Sequence, residues 1–295
     1  MGKIDLHIHS NFSDDGELEV EDIVKLSIGQ GMEAISICDH NSIGGIKRAI
    51  EYGNTTGVEV IPGIEIDCIY NSIDLHVLGY YIDYENIEFQ RLEEDIIRQE
   101  KEAGVKRIRK LRKNTGLKID EEEVLERANG KTITGELIAE VLLGKEESVN
   151  NEILRPYLRG GNRSDMPYVN FYWDFFSQGK IAYVPINYIS LREAINIIKN
   201  SGGVPVIAHP GNNLKNNMNM IDSIIKEGIC GIEAFSTYHT LEQTDYFYKK
   251  AFDHNMLVTC GSDFHGKNKP NIKIGECGCN LGYNSIITPL KKLNN

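Results

Sequence analysis

The sequence predicts an α/β barrel interrupted by an α-helical lobe. Two stretches share a strand–helix–strand rhythm, a block of different character separates them, and the polar residues suited to chemistry gather near the ends of the predicted strands. In the first stretch Lys3 to His9 reads as a strand, Val20 to Gln30 as a helix, Ala34 to Cys38 as a strand, Ile43 to Thr55 as a helix and Val58 to Ile69 as a strand; Asp74 to Ile82 follows as another. Strands alternating with helices imply parallel pairing through crossover helices.

Between about Tyr84 and Ser201 the pattern turns helical. Glu85 to Arg112 is long, charged and apolar at helical spacing, and Ile119 to Ala128, Thr134 to Leu143 and Asp165 to Gln178 also read as helices. The alternation returns after Gly202-Gly203, with strands at Val204 to Ala208, Gly231 to Phe235 and Leu257 to Cys260, and helices at Asn219 to Glu227 and Leu241 to His254. The expected division is 1–84 and 202–295 for the barrel and 85–201 for the inserted lobe.

The bulk properties narrow the function classes. With 41% hydrophobic and 25% charged residues the 295-residue chain has an ordinary globular composition and no apolar run that would span a bilayer, so no membrane partner is expected. Met1-Gly2-Lys3-Ile4-Asp5-Leu6-His7 lacks the apolar stretch of a secretory signal, and a cytoplasmic location is expected. Six cysteines fit reduced thiols, and the C-x-C of Cys277 and Cys279 is too small a set for a zinc site. A formal charge of −11 argues against a stable nucleic-acid complex, although cations bound locally would still admit a small phosphorylated substrate.

Asp5-Leu6-His7-Ile8-His9-Ser10 places two histidines two apart at a strand end, where side chains at i and i+2 share a face and can reach one metal. Taken alone, the pair reads equally well as buried sheet histidines. The remaining polar groups favour the metal: Asp39-His40-Asn41, Glu65 and Asp67, His76, His209-Pro210-Gly211, Glu233, and Ser262-Asp263-Phe264-His265 all lie in or just after predicted strands. In an α/β barrel those ends form one mouth, where active sites sit. Imidazoles and carboxylates without thiolates suit Zn²⁺, Mn²⁺ or Fe²⁺, and the surplus of ligands suggests two or three divalent ions.

These motifs resemble the polymerase and histidinol phosphatase (PHP) family of metal-dependent phosphoesterases. The resemblance rests on Asp5 to Ser10 followed by Ser13-Asp14-Asp15-Gly16, on Asp39-His40-Asn41, Gly63-Ile64-Glu65, His76-Val77-Leu78-Gly79-Tyr80 and Ala208-His209-Pro210, and on Ser262-Asp263-Phe264-His265. It implies a distorted (β/α)₇ barrel with three metal positions: His7, His9, Glu65 and Asp263 at the first, Glu65 as a bridge with His76 and His209 at the second, and Asp15, His40 and His265 at the third. Asp14 is the alternate to Asp15. Closely spaced metals would activate a bridging water for in-line attack on phosphorus and clamp the phosphoryl oxygens. His239 is a candidate to protonate the leaving oxygen. Asp39 is a candidate to orient an imidazole or, equally, to cap the following helix.

The lobe has the place and length of the one that covers the barrel mouth in PHP phosphatases acting on small phosphates. Gly179-Lys180-Ile181-Ala182-Tyr183-Val184-Pro185 resembles a stretch of relatives that hydrolyse nucleotide or nucleoside bisphosphate phosphates; Lys180 is either a phosphate contact or a solvated turn lysine. Those relatives often carry Arg after the Thr of the lobe helix, where this chain has Thr134-Gly135; Arg155, Arg159 and Arg163 are nearby substitutes. Tyr168, Tyr172 and Trp173 stand at helical spacing, as core residues do. The expected function is thus hydrolysis of a small phosphorylated substrate. An amidohydrolase-like deacylase and a non-catalytic PHP module are the alternatives; the intact ligand set speaks against the second.

Overall fold

A computed structural model describes residues 3–294, which divide into two units. The first contains the residues up to Glu93, Tyr188–His265 and those from Ile272 on; the second contains Glu94–Asn187 and Gly266–Asn271.

In chain order the first unit begins β1 (Lys3–Ile8), α1 (Val20–Gly29), β2 (Met32–Ile37), α2 (Ile46–Thr56), β3 (Glu59–Tyr70) and β4 (Ile73–Tyr80). Next comes α3 (Ile87–Thr115), whose first turns belong to this unit, and the second unit adds α4 (Glu121–Ala128), α5 (Gly135–Leu143) and α6 (Pro167–Phe175). The first unit resumes with β5 (Ile189–Ser190), α7 (Leu191–Asn200), β6 (Val204–Ile207), α8 (Pro210–Leu214), α9 (Ile221–Lys226), β7 (Gly231–Ser236), α10 (Leu241–Asp253), β8 (Leu257–Gly261) and α11 (Tyr283–Leu293).

The strands pair in the order β1-β2-β3-β4-β6-β7-β8, with β5 added beside β3. A parallel bridge between Ile8 and Phe264 nearly closes the sheet into a barrel. It is held by Asp263 N–H donating to His7 O at 2.8 Å and His9 N–H to Phe264 O at 2.9 Å.

The strand–helix rhythm predicts parallel pairing throughout, but two of the pairs run antiparallel. β3 and β4 form an antiparallel hairpin, and β4 is antiparallel to β6 as well. Only Asn71 and Ser72 separate β3 from β4, both at positive φ (49° and 64°), the two-residue turn whose twist matches a hairpin. No crossover helix fits in so short a link. The reversal puts the first half of β4 beside the second half of β3, so that Asp67 faces His76 across the pair.

The division of the chain also differs from the expected 85–201, since the second unit runs from Glu94 to Asn187 with Gly266–Asn271 added. Ile189–Asn200 belongs to the barrel: β5 adds to β3, and α7 packs on β3, β4 and β6. Ser190 starts α7 with a reciprocal capping box to Glu193, and Leu191, Ala194, Ile195 and Ile198 form its buried stripe.

One apolar cluster joins Leu6, Cys38, Ile61, Leu78, Tyr80, Val206 and Cys260 of the strands to Ile286, Ile287 and Leu290 of α11. A second packs Val20, Ile23 and Val24 of α1 and Ala49 of α2 on Ile35 and Ile37. Each such buried side chain contributes roughly 1.5–3 kcal/mol, which fixes the strand ends that carry the polar residues. The second unit has its own core, built from Ile108, Leu111, Val124, Ile138, Leu142, Phe171 and Phe176, with Tyr168 and Tyr172 packed against it. All six cysteines are free thiols, and no described helix is long and apolar enough to cross a membrane.

Candidate metal centre

Six strands of the barrel, or the loops that follow them, bring His7, His9, Asp15, His40, Glu65, His76, His209, Asp263 and His265 together. Three groups offer ligand atoms that all lie within 4.8 Å of one another: His7, Glu65, His209 and Asp263; His9, Asp15, His40 and His265; and His40, Asp67 and His76. Glu65 is the hub. Its Oε2 lies 3.1 Å from Nε2 of both His7 and His9 and 3.4 Å from Nε2 of His40, while its Oε1 lies 3.0 Å from His76 Nδ1 and 3.1 Å from His209 Nε2.

Local backbone geometry aims these groups. Gly16 folds the loop after β1 back on itself, since a Cβ there would lie 1.8 Å from Ser10 O. The fold-back brings Asp15 Oδ2 to 3.0 Å from His265 Nε2, whereas Asp14 is exposed. Asn41, His209 and Asp263 hold positive φ (52°, 21° and 58°), strain of the kind that persists where surrounding structure over-determines a functional position. Gly261 lets β8 press on β1, because a Cβ there would sit 2.1 Å from His7 Cβ.

Hydrogen bonds on the far side of each ring set its orientation. His7 Nδ1 lies 3.0 Å from Glu233 Oε1, His9 Nδ1 3.2 Å from Ser13 Oγ, His209 Nδ1 2.6 Å from Asn213 Oδ1 and His40 Nδ1 2.9 Å from Asp67 Oδ1. With Nδ1–H donated outward, the Nε2 lone pairs of His7 and His9 face each other at 3.1 Å and face Glu65 Oε2. That oxygen is buried and accepts no hydrogen bond. Facing lone pairs and a carboxylate oxygen repel unless a cation or proton lies among them, so the donor set fits divalent metal ions.

The electrostatics agree. Burial alone would push the His7 and His40 imidazoles down, but Glu65, Glu233 and Asp263 around His7, and Asp67, Glu65 and Asp15 around His40, hold them well above the ordinary range. Burial opposes ionisation of Glu65, yet His7, His40 and His76 hold it well below the usual carboxylate range. Glu65, His7, His9 and His265 are fully buried, whereas His40, His76 and Asp15 keep 19%, 25% and 21% of their side-chain surface exposed. The cluster therefore opens to solvent on the His40 and His76 side.

Several polar residues serve the frame. Asp39 accepts from Ser10 N–H at 2.6 Å and Ser10 Oγ at 2.7 Å, so it clamps the chain leaving β1 and neither orients an imidazole nor caps a helix. Asp5 accepts from Ser262 N–H at 2.9 Å and Gly275 N–H at 2.6 Å, and burial pushes its carboxyl up to about 6. His239 has both ring nitrogens engaged: Nδ1 lies 2.8 Å from Ala234 O, and Nε2 accepts from Gly211 N–H at 3.0 Å. The only proton on that ring is donated to the Ala234 carbonyl, so none is available for a leaving group. Burial also holds its pKa below the ordinary value.

In the second unit Arg163 is committed to Asp174 at 2.9 and 3.0 Å and also reaches Asn170 O. Lys180 is exposed in the turn after α6. Gly135 explains the missing lobe arginine: a Cβ there would lie 2.6 Å from Phe176 and 2.7 Å from Tyr172, so the position has no room for a side chain.

Two supporting residues were expected at the barrel mouth without an assigned role, and a third, Tyr238, was not singled out by sequence. Glu233 and Asp67 lie in strands already marked as polar, and only the closed sheet reveals their imidazole partners. Tyr238 donates to Asp263 Oδ2 at 2.5 Å, and burial keeps its phenol protonated; a tyrosine in a loop gave no signal.

Comparison with known proteins agrees with this geometry. The PHP domain model matches residues 5–148. The phosphoribosyl 1,2-cyclic phosphate 1,2-diphosphodiesterase of Eggerthella lenta is 26% identical over 89% of this chain and 94% of its own length. The 3',5'-nucleoside bisphosphate phosphatase of Chromobacterium violaceum is 27% identical over 98% of this chain and 94% of its own. A 5'-3' exoribonuclease of Haemophilus influenzae is 26% identical over 89% and 90%. A crystal structure from Bifidobacterium adolescentis, described as a candidate metal-dependent phosphoesterase, superposes with a TM-score of 0.77 at 26% identity, covering 99% of this chain and 96% of that one. The chain thus carries a PHP domain match over residues 5–148 and is similar over nearly its whole length to metal-dependent phosphoesterases, hydrolases of phosphoester bonds.

Proposed function

We propose that the chain hydrolyses a small phosphorylated substrate, a nucleotide or nucleoside bisphosphate, at a centre of two or three divalent ions held by His7, His9, Asp15, His40, Glu65, His76, His209, Asp263 and His265. The observation that carries the reading is the convergence of five imidazoles on the two oxygens of one buried carboxylate, Glu65. When bound, such ions supply Lewis acidity: they polarise phosphoryl oxygens and acidify water.

The chain's own residues supply position. Glu233 holds His7 by its ring and His209 by its backbone N–H at 2.7 Å, so one carboxylate orients ligands from two strands. Tyr238 fixes one oxygen of Asp263 and leaves Oδ1 toward His7 and His9, at 3.3 and 3.0 Å. Side chains that need no reorganisation during the reaction are what electrostatic catalysis requires. No nucleophilic Ser, Cys or Asp is needed, because a water can attack phosphorus in line. The partly exposed rim at His40 and His76 is the approach for the phosphate. The names of two relatives, a nucleoside bisphosphate phosphatase and a cyclic phosphate diphosphodiesterase, support this substrate class.

The test is turnover by chelator-treated protein resupplied with Mn²⁺, Zn²⁺ or Fe²⁺. Release of phosphate from 3',5'-nucleoside bisphosphates in preference to p-nitrophenyl acetate is expected. Ester cleavage without phosphate release would move the assignment to a deacylase, and a preference for oligoribonucleotides would replace the small substrate.

A further inference from the structure

We infer that Asp67 is a positioning residue that selects the tautomer and orientation of His40, and that Asn41 holds it in that role. The inference rests on the proposed metal-binding role of the cluster and adds a residue outside the nine ligand candidates.

The geometry starts where β2 ends. Asn41 adopts φ 52° and donates its backbone N–H to Glu65 O at 2.7 Å, while Glu65 N–H donates to Asp39 O at 3.2 Å, which extends the β2–β3 pairing past the strand. On this extension the Asn41 side chain brackets Asp67. Asn41 Nδ2 donates to Asp67 Oδ2 at 2.8 Å, and Asp67 N–H donates to Asn41 Oδ1 at 3.0 Å. A carboxylate gripped in this way cannot swing.

Its other oxygen, Oδ1, lies 2.9 Å from His40 Nδ1 and 3.5 Å from His76 Nε2. His40 Nε2 then points the opposite way, 3.4 Å from Glu65 Oε2 and in the group with His9, Asp15 and His265. If Nδ1 carries the proton donated to Asp67, Nε2 must present its lone pair to that group. A neutral imidazole has one N–H and one acceptor, so the partner of one nitrogen decides what the other can do. Asp67 could instead serve as a ligand together with His40 and His76, but Asn41 occupies one of its oxygens and His40 Nδ1 the other.

The experiment compares wild type, Asp67→Ala, Asp67→Asn and the exchanged pair Asn41→Asp/Asp67→Asn. Three quantities are read: Mn²⁺ affinity by chelator competition, metal content at saturation, and the His40 tautomer from long-range ¹H–¹⁵N correlation spectra of the metal-free protein at a pH high enough for its ring to be neutral. Asp67→Ala is expected to weaken one ion by about 10–100-fold, the usual effect of removing such a partner, while full content returns at saturating Mn²⁺. His40 should shift from the Nδ1–H form to a mixture. Asp67→Asn sets its amide against donors on one side or the other and should behave like Asp67→Ala, with partial recovery in the exchanged pair.

Unchanged affinity and tautomer in Asp67→Ala would overturn the inference. A permanent loss of one ion at saturating Mn²⁺ would make Asp67 a ligand. A fall in melting temperature with the His40 tautomer unmoved would make it only structural. Should wild type itself bind no Mn²⁺, Zn²⁺ or Fe²⁺, the functional reading fails, while the tautomer still reports on Asp67 alone.

Discussion

Glu233 Oε1 lies 3.0 Å from His7 Nδ1, with both side chains fully buried, and this contact decides which nitrogen of His7 faces the centre. The other oxygen of Glu233 accepts the backbone N–H of His209 at 2.7 Å. Glu233→Gln can satisfy only one of these donors. A buried donor left unpaired costs about 1–3 kcal/mol, and loss of an orienting carboxylate typically weakens metal affinity about 10–100-fold. Chelator competition and thermal melting should both register the change; unaltered metal affinity would mean that Glu233 only supports the fold.

His239 makes the opposite case. Because its ring bridges Ala234 O and Gly211 N–H, His239→Ala should destabilise the barrel by about 1–3 kcal/mol through the unpaired Gly211 donor and leave the basic limb of the pH–rate profile in place. Denaturant melts and a pH series of kcat measure the two effects. Disappearance of the basic limb would restore His239 as the proton donor.

The adjacent aspartates should part company. Asp15→Asn removes the partner that His265 Nε2 meets at 3.0 Å and is expected to reduce both metal content and turnover by at least about tenfold, while Asp14→Asn, at an exposed position, should stay within about twofold of wild type. Metal analysis of the two variants, prepared in parallel, decides the matter. The reverse ranking would move the ligand to Asp14.

Much of this arrangement is legible in the sequence, for physical reasons. Strand ends carry ligands because the barrel fixes their direction, so His7, His40, His209 and His265 announce themselves beside apolar runs. The β3–β4 reversal is not legible, since Asn71-Ser72 contains neither Gly nor Pro and the turn depends on two positive φ values that sequence shows poorly. The strand and helix at Ile189–Asn200 are hidden by their position beside the charged insertion, although the Ser190 and Glu193 capping pair was available as a signal. The neighbours of Asp39 and His239 in the chain do not reveal the Ser10, Ala234 and Gly211 groups that hold these side chains. The partners of a buried side chain are set by which strands become neighbours, and that knowledge arrives only with the closed sheet.

Protons and metals should compete for the centre. In the metal-free protein His7 and His40 are held above the ordinary 6.5, so their contribution to stability is fully present below that value and is lost as pH rises through their folded pKa. Glu65, held below the ordinary 4.5, contributes above that value and loses its contribution as pH falls. Chelated protein should therefore melt at a lower temperature as pH is raised from about 6 to about 9, and metal addition should release protons and bind more tightly over the same range. Calorimetric titration in buffers of different ionisation enthalpy detects the release; metal uptake with no proton change would contradict it.

The most direct measurement is anomalous diffraction from crystals of the metal-loaded protein, collected on either side of the absorption edge of the bound metal. Peaks bounded by His7, His9, Glu65 and Asp263, by Glu65, His76 and His209, and by Asp15, His40 and His265 are the predicted result. Metal found only elsewhere on the surface, with Glu65 protonated and hydrogen-bonded to its imidazoles, would contradict a hydrolytic metal centre.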